Sequence, residues 1–204
     1  MILLRTALTL LTALQLAACA STAIRSAWFD TSYQGGPLKK IAVVGVGGQA
    51  VDRRVFEDAF AQQLRAAGVD AVPGYTILSD AARQSETAFN AAIQGSGADG
   101  VLIVELLGVD TRTRITTAMM PSSAFRQGWG RAPGFAPTWI ETQQVRQYDV
   151  ARVEASLYEA RSRQLIWAAS TDTFNPTSVA RETPGFADLI IRELRTRGLI
   201  AGAT

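Results

Sequence analysis

The sequence predicts an α/β fold with an α+β tendency: a single mixed sheet of five strands in the order 2-1-3-4-5, packed by three helices. Three observations carry this. A short apolar run, Ile41-Ala42-Val43-Val44, passes through glycines into an amphipathic stretch, the pattern of a buried strand feeding a helix. From Val145 to Tyr158 apolar and polar residues alternate, the pattern of an antiparallel strand with one wet face. Strand-like and helix-like segments take turns between them, with no internal repeat.

The first strand runs from Lys39 to Val46. The helix after it sets Val55, Phe56, Ala59, Phe60, Leu64 and Ala67 on one stripe, leaves Arg53, Arg54, Glu57, Asp58 and Arg65 mostly off it, and closes at Gly68. Val69 to Val72 is the second strand, ended by Pro73-Gly74. A helix from about Glu86 to Gln94 buries Phe89, Ala92 and Ile93 and stops at Gly95-Ser96-Gly97. Gly100 to Val109 is the central strand, and Thr111 to Thr117 prolongs it beyond the sheet. Glu105 interrupts that run and is expected to pair with an arginine or face water, because unpaired charges are rarely buried.

In the fourth strand Ala151, Val153, Ala155 and Leu157 point one way and Arg152, Glu154, Ser156 and Tyr158 the other. A turn at Glu159 to Arg163 leads to its hairpin partner, Leu165 to Ala169. Thr183-Pro184 reads as the cap and first position of the last helix, with Phe186, Leu189, Ile190 and Leu194 inward. Gly198 ends it, and Arg192, Arg195 and Arg197 in its last turns read as a solvated face that complements the helix dipole, with an anion site as the alternative. Right-handed crossovers place the second and third strands on opposite sides of the first.

Upstream of the fold, residues 1–18, MILLRTALTLLTALQLAA, carry one positive charge at Arg5 and an apolar run too short for a stable membrane span, the composition of an export signal. Leu16-Ala17-Ala18-Cys19 ends that segment and resembles the lipobox of bacterial lipoproteins. The resemblance implies a diacylglycerol on the Cys19 sulfur, cleavage before Cys19, and acylation of the new amino terminus. One chain gives marginal membrane residence at about 0.8 kcal/mol per buried CH₂, whereas three make attachment effectively permanent. Ala20 stands where the family's inner-membrane retention signal places Asp, so the resemblance implies an outer-membrane protein facing the periplasm. The alternative for Cys19, the chain's single cysteine, is an ordinary buried thiol. Residues 19–38 then read as lipidated cysteine and tether, and residues 39–204 as one periplasmic domain. Trp28, Phe29 and Tyr33 are expected to clamp the tether onto that domain, since exposed aromatic clusters call for a partner.

Composition excludes much chemistry. The chain has 204 residues, a formal charge of +2 and no histidine, which removes the usual general base, the commonest metal ligand and the usual pH switch. With Cys19 acylated, metal sites of cysteine and histidine and the common nucleophile triads are excluded too. Near-balanced charge implies no field for nucleic acid. Gly45, Gly47 and Ala50 fit the spacing G-x-G-x-x-G/A of a dinucleotide turn. That motif needs an acidic residue at the end of the second strand, and Asp70 opens that strand instead. An exported domain also meets essentially no nucleotide, so the glycines read as a tight turn and no cofactor is expected beyond the lipid on Cys19.

Ala118 to Trp139 reads as a long irregular loop carrying Met119, Met120, Phe125, Trp129, Phe135 and Trp139. Loops beyond about 12–15 residues in compact domains are usually functional or disordered, and these apolar residues would gain by burial. The loop is either a flap on its own sheet or a partner-binding surface, for which Trp28 and Tyr33 are further candidates.

Several stretches resemble uncharacterised proteobacterial outer-membrane lipoproteins: Trp28 and Tyr33 with Pro37-Leu38-Lys39-Lys40-Ile41-Ala42-Val43-Val44, then Arg53-Arg54, Phe56-Glu57-Asp58 and Leu64, then Gly68-Val69-Asp70-Ala71-Val72. Leu157 to Trp167, LYEARSRQLIW, is similar to a tryptophan-ended hairpin in such proteins. The broader similarity is to the α/β domains of the curli secretion protein, the TolB amino-terminal domain and the activator lipoprotein of peptidoglycan synthase. It implies partner binding in the envelope and transfers no catalytic residue; the long channel-forming hairpins of the curli protein are not evident in the sequence. The expected function is therefore a non-enzymatic adaptor binding another envelope protein. Alternatives are an oligomeric component of an export or assembly machine and a hydrolase acting through carboxylates such as Glu105 and Asp110.

Overall fold

A computed structural model describes residues 21–121 and 139–201. The elements are β1 (Ser21–Phe29), β2 (Lys40–Val46), α1 (Ala50–Ala66), β3 (Asp70–Pro73), α2 (Glu86–Ser96), β4 (Gly100–Pro121), β5 (Trp139–Glu159), β6 (Leu165–Phe174) and α3 (Val179–Thr196), with two single 3₁₀ turns between β3 and α2. The sheet has six strands, not five, in the order β1-β6-β5-β4-β2-β3. It differs from the expected order because the segment read as a tether forms β1 and pairs antiparallel with β6. β2 runs parallel to β3 and β4, and β4, β5 and β6 are joined antiparallel.

Right-handed crossovers explain the layers. The path from β2 to β3 moves one way across the sheet and the path from β3 to β4 moves back, so their helices land on opposite faces. Phe60 and Leu64 of α1 and Phe186, Ile190 and Leu194 of α3 bury against Val43, Leu102, Leu157 and Trp167. Each such side chain contributes about 1.5–3 kcal/mol when fully buried. Ile93 of α2 packs with Ala42, Val44 and Val101 on the other face.

A β-bulge between Ile24 and Ser26 shifts β1's alternation, so that Ile24 and Phe29 both pack on the α1/α3 side. A second bulge, between Leu106 and Gly108, does the same in β4 and puts Leu106 and Val109 on one face. The last helix starts earlier than expected. Ser178 is its N-cap, accepting from the Arg181 N–H at 3.3 Å, and Pro184 lies inside it. Pro184 lies past the first turn, so it removes one intrahelical donor, while Thr183 Oγ1 donates to the Val179 carbonyl at 2.7 Å. Glu57, read as off the buried stripe of α1, is fully buried. Glu105 is exposed, as expected.

Candidate functional site

β4 and β5 outrun the sheet. The last row shared with β6 joins Phe174 to Val150 and Val150 to Asp110. From Thr111↔Asp149 to Pro121↔Trp139 the two strands pair only with each other. At about 3.3 Å per residue this hairpin arm extends on the order of 35 Å beyond the sheet. The expectation that long hairpins are absent is therefore corrected. The loop also begins later and ends earlier than expected: Ala118, Met119 and Met120 belong to β4, and Trp139 opens β5. Phe125, Trp129 and Phe135 lie outside the described residues, as does Cys19.

The arm has two chemically distinct faces, because cross-strand partners share a face and neighbours along a strand alternate. Val109, Ile115, Val145 and Met119 lie on one face and are 54–62% exposed. Arg112, Arg114 and Arg146 lie on the other, with Arg114 and Arg146 directly opposite each other. The Arg114 guanidinium sits 5.9 Å from the Tyr148 ring centroid, a cation–π contact that offsets part of the repulsion. At the base, Arg152 pairs with Asp110 at 3.2 Å and Thr111 donates to Asp149 at 2.7 Å. Asp110, a candidate carboxylate for hydrolysis, is thus held by an arginine, and Glu105 faces Glu154 across the ladder on the water-facing side.

Below the arm's aliphatic face lies a cleft of about 310 Å³, between the C-terminal end of β2, the first half of β4 and the N-terminal ends of α1 and α3. Phe56 and Phe186 form its floor, with ring centroids 6.2 Å apart and Phe60 beneath them. Val104, Ala151 and Val153 form the wall, while Val46, Leu106 and Val109 at the mouth remain 42–54% exposed. Two of the charged groups at the rim are engaged elsewhere. Arg53 donates to the Gly48 carbonyl at 3.2 Å, and Glu182 accepts from the Thr177 N–H and hydroxyl at 3.1 and 2.9 Å. The cleft is therefore suited to hold apolar matter and offers no poised acid–base pair.

The glycine turn lines this cleft. Gly47 and Gly48 have φ of +80° and +64°, the left-handed conformation that glycine adopts without strain. The Gly45 N–H donates to Glu57 Oε1 at 2.9 Å, which ties the turn to α1. The Glu57 carboxylate also accepts from the Tyr75 N–H at 2.6 Å and from Arg83 at 3.0 Å. This buried pair ties β2, α1 and both 3₁₀ turns together. Sequence pattern missed it because a glutamate on a helix ordinarily faces water.

The tether aromatics separate. Tyr33 and Phe29 pack against the core, and burial raises the Tyr33 hydroxyl pKa. Trp28 is 51% exposed, on the opposite face of β1. Asp30 orders the turn after β1: its carboxylate accepts from the Ser32 hydroxyl and N–H at 2.7 and 2.8 Å, which lower its pKa, and from the Gln164 amide. Among the described residues, no helix is long and apolar enough to cross a membrane.

No family model and no curated protein matches the chain. Among solved structures it is similar to a PelC dodecamer from Paraburkholderia phytofirmans, at 13% identity and a TM-score of 0.44 over 89% of this chain and 99% of that one. It is also similar to the lipoprotein GNA1162 from Neisseria meningitidis, at 14% identity and a TM-score of 0.41 over 78% of this chain and 96% of that one.

Proposed function

We propose that this protein is an outer-membrane lipoprotein, anchored through Cys19 and facing the periplasm, that engages another envelope protein through the β4–β5 arm. The arm carries the reading. Beyond its base, where Tyr148 packs on Phe174 and the Asp149 carbonyl accepts from the Asn175 N–H, it presents exposed aliphatic side chains on one face and arginines on the other. A two-stranded ribbon alone in water is marginal, and exposed apolar side chains on it call for a covering partner. The missing histidine and the paired Asp110 support binding rather than catalysis.

A photo-crosslinking amino acid placed at Ile115 or Val145 in intact cells tests this. Capture of one envelope protein at both positions, and none from a probe at exposed Glu154, supports the arm as the binding element. Equal capture from all three positions, or from Glu154 alone, contradicts it. A second reading, an oligomeric component of an export or assembly machine, is favoured by the length of the arm itself. In that case the same probes link copies of this chain to one another.

A further inference from the structure

We propose that the cleft between the N-terminal ends of α1 and α3 houses one acyl chain of the lipid on Cys19. This rests on the lipidation of Cys19 proposed above and goes beyond it by assigning the chain a place in the fold.

The first argument is where the polypeptide arrives. Ser21 pairs with Phe174 and Thr22 with Thr173, at the end of the sheet from which the arm leaves. The Thr22 and Thr173 hydroxyls are 2.9 Å apart, and Thr173 lines the cleft. At no more than about 3.6 Å per residue, Cys19 lies within roughly 11 Å of Thr22 whatever path the chain takes. A lipid on that cysteine is delivered to the rim of the cleft.

The second argument is chemical. The walls and floor are aliphatic and aromatic, and none of the buried polar atoms lacking a partner among the described residues lies in the lining. An alkyl chain needs no hydrogen-bonding partner, and the lining is chiefly apolar. The volume suits such a guest. An apolar cavity of about 150 Å³ holds benzene, so 310 Å³ accommodates an aliphatic chain of roughly twice that many carbons. The third argument is the mouth, where Val46, Leu106 and Val109 form an apolar collar that an entering chain would cover. With one chain in the cleft and the others in the bilayer, the arm's end of the sheet is held at the membrane surface.

The test uses the full-length lipoprotein in cells supplied with a photoreactive fatty acid that enters its acylation, followed by irradiation, digestion and mass spectrometry. Crosslinks from the lipidated N-terminal peptide to peptides spanning residues 101–109 or 176–186 are expected within one molecule. Two cavity-filling variants, Ala151→Leu and Val153→Phe, should each reduce that yield about tenfold while membrane attachment and the thermal transition persist. A fully acylated Cys19 whose chains crosslink only to lipid, only to another copy in isotopically mixed cells, or as strongly in both variants as in the unsubstituted protein overturns the proposal and leaves the anchor reading intact. An unacylated Cys19 overturns both.

Discussion

Glu57 has a larger structural role than any other charged residue described. Its carboxylate is fully buried and joins two backbone N–H groups to the Arg83 guanidinium. Removing one member of a buried pair strands the other, so Glu57→Ala should cost about 3–5 kcal/mol in urea denaturation, far above an ordinary surface substitution. Gly74 is part of the same knot: a Cβ there would lie 2.8 Å from the Val43 carbonyl and 3.2 Å from Glu57 Oε1. Gly74→Ala should therefore destabilise the fold, although alanine usually stiffens a chain favourably; a rise in the denaturation midpoint would contradict the close packing. Asp30 gives a pH dependence of defined sign. Its pKa is lowered from 3.8 by the Ser32 hydroxyl and N–H and by Gln164. The stabilisation is fully present above 3.8 and is lost as pH falls through the lower folded value. Hydrogen exchange at the Ser32 amide should accelerate in that acid window, relative to neighbouring amides, and should not in Asp30→Asn.

At the scale of elements, the arm is separable from the sheet. β4 and β5 pair with their sheet neighbours only up to Asp110 and Val150, and Tyr148 and Asp149 just beyond still touch Phe174 and Asn175, so replacing residues 113–147 with a two-residue Asn-Gly turn should shift the thermal midpoint by only a few degrees. A collapse of the fold would show that the arm supports the core. The sequence revealed elements wherever burial imposed a period: β2, α1, α2, β4's first half, β5 and β6 were legible from their apolar positions. The misses have physical causes. β1 contains a bulge after Ile24, so its inward residues fall at odd spacing and the alternation that marks a strand is lost. The arm's second half pairs threonine, arginine and glutamine across the ladder without burying either face, so no hydrophobic pattern announces it. The start of α3 was misplaced because Thr183-Pro184 imitates a helix entry that Ser178 makes five residues earlier.

For the whole molecule, the sheet has a working end. The arm leaves it there, the apolar cleft opens there, and β1 begins there at Ser21, two residues after Cys19. Only part of this was legible in the sequence. The lipobox-like Leu16-Ala17-Ala18-Cys19 stands in plain view, but the cleft is made by residues from β2, α1, β4, β5, β6 and α3, whose meeting depends on the strand order. Much of the expected tether is instead an edge strand, β1, that begins at Ser21. Mass spectrometry of the N-terminal peptide, taken from separated membrane fractions, tests this account most directly. The account requires a chain beginning at Cys19, carrying three acyl groups and recovered with the outer membrane. A chain beginning at Met1 with a free thiol at Cys19, recovered from the soluble fraction, would contradict it.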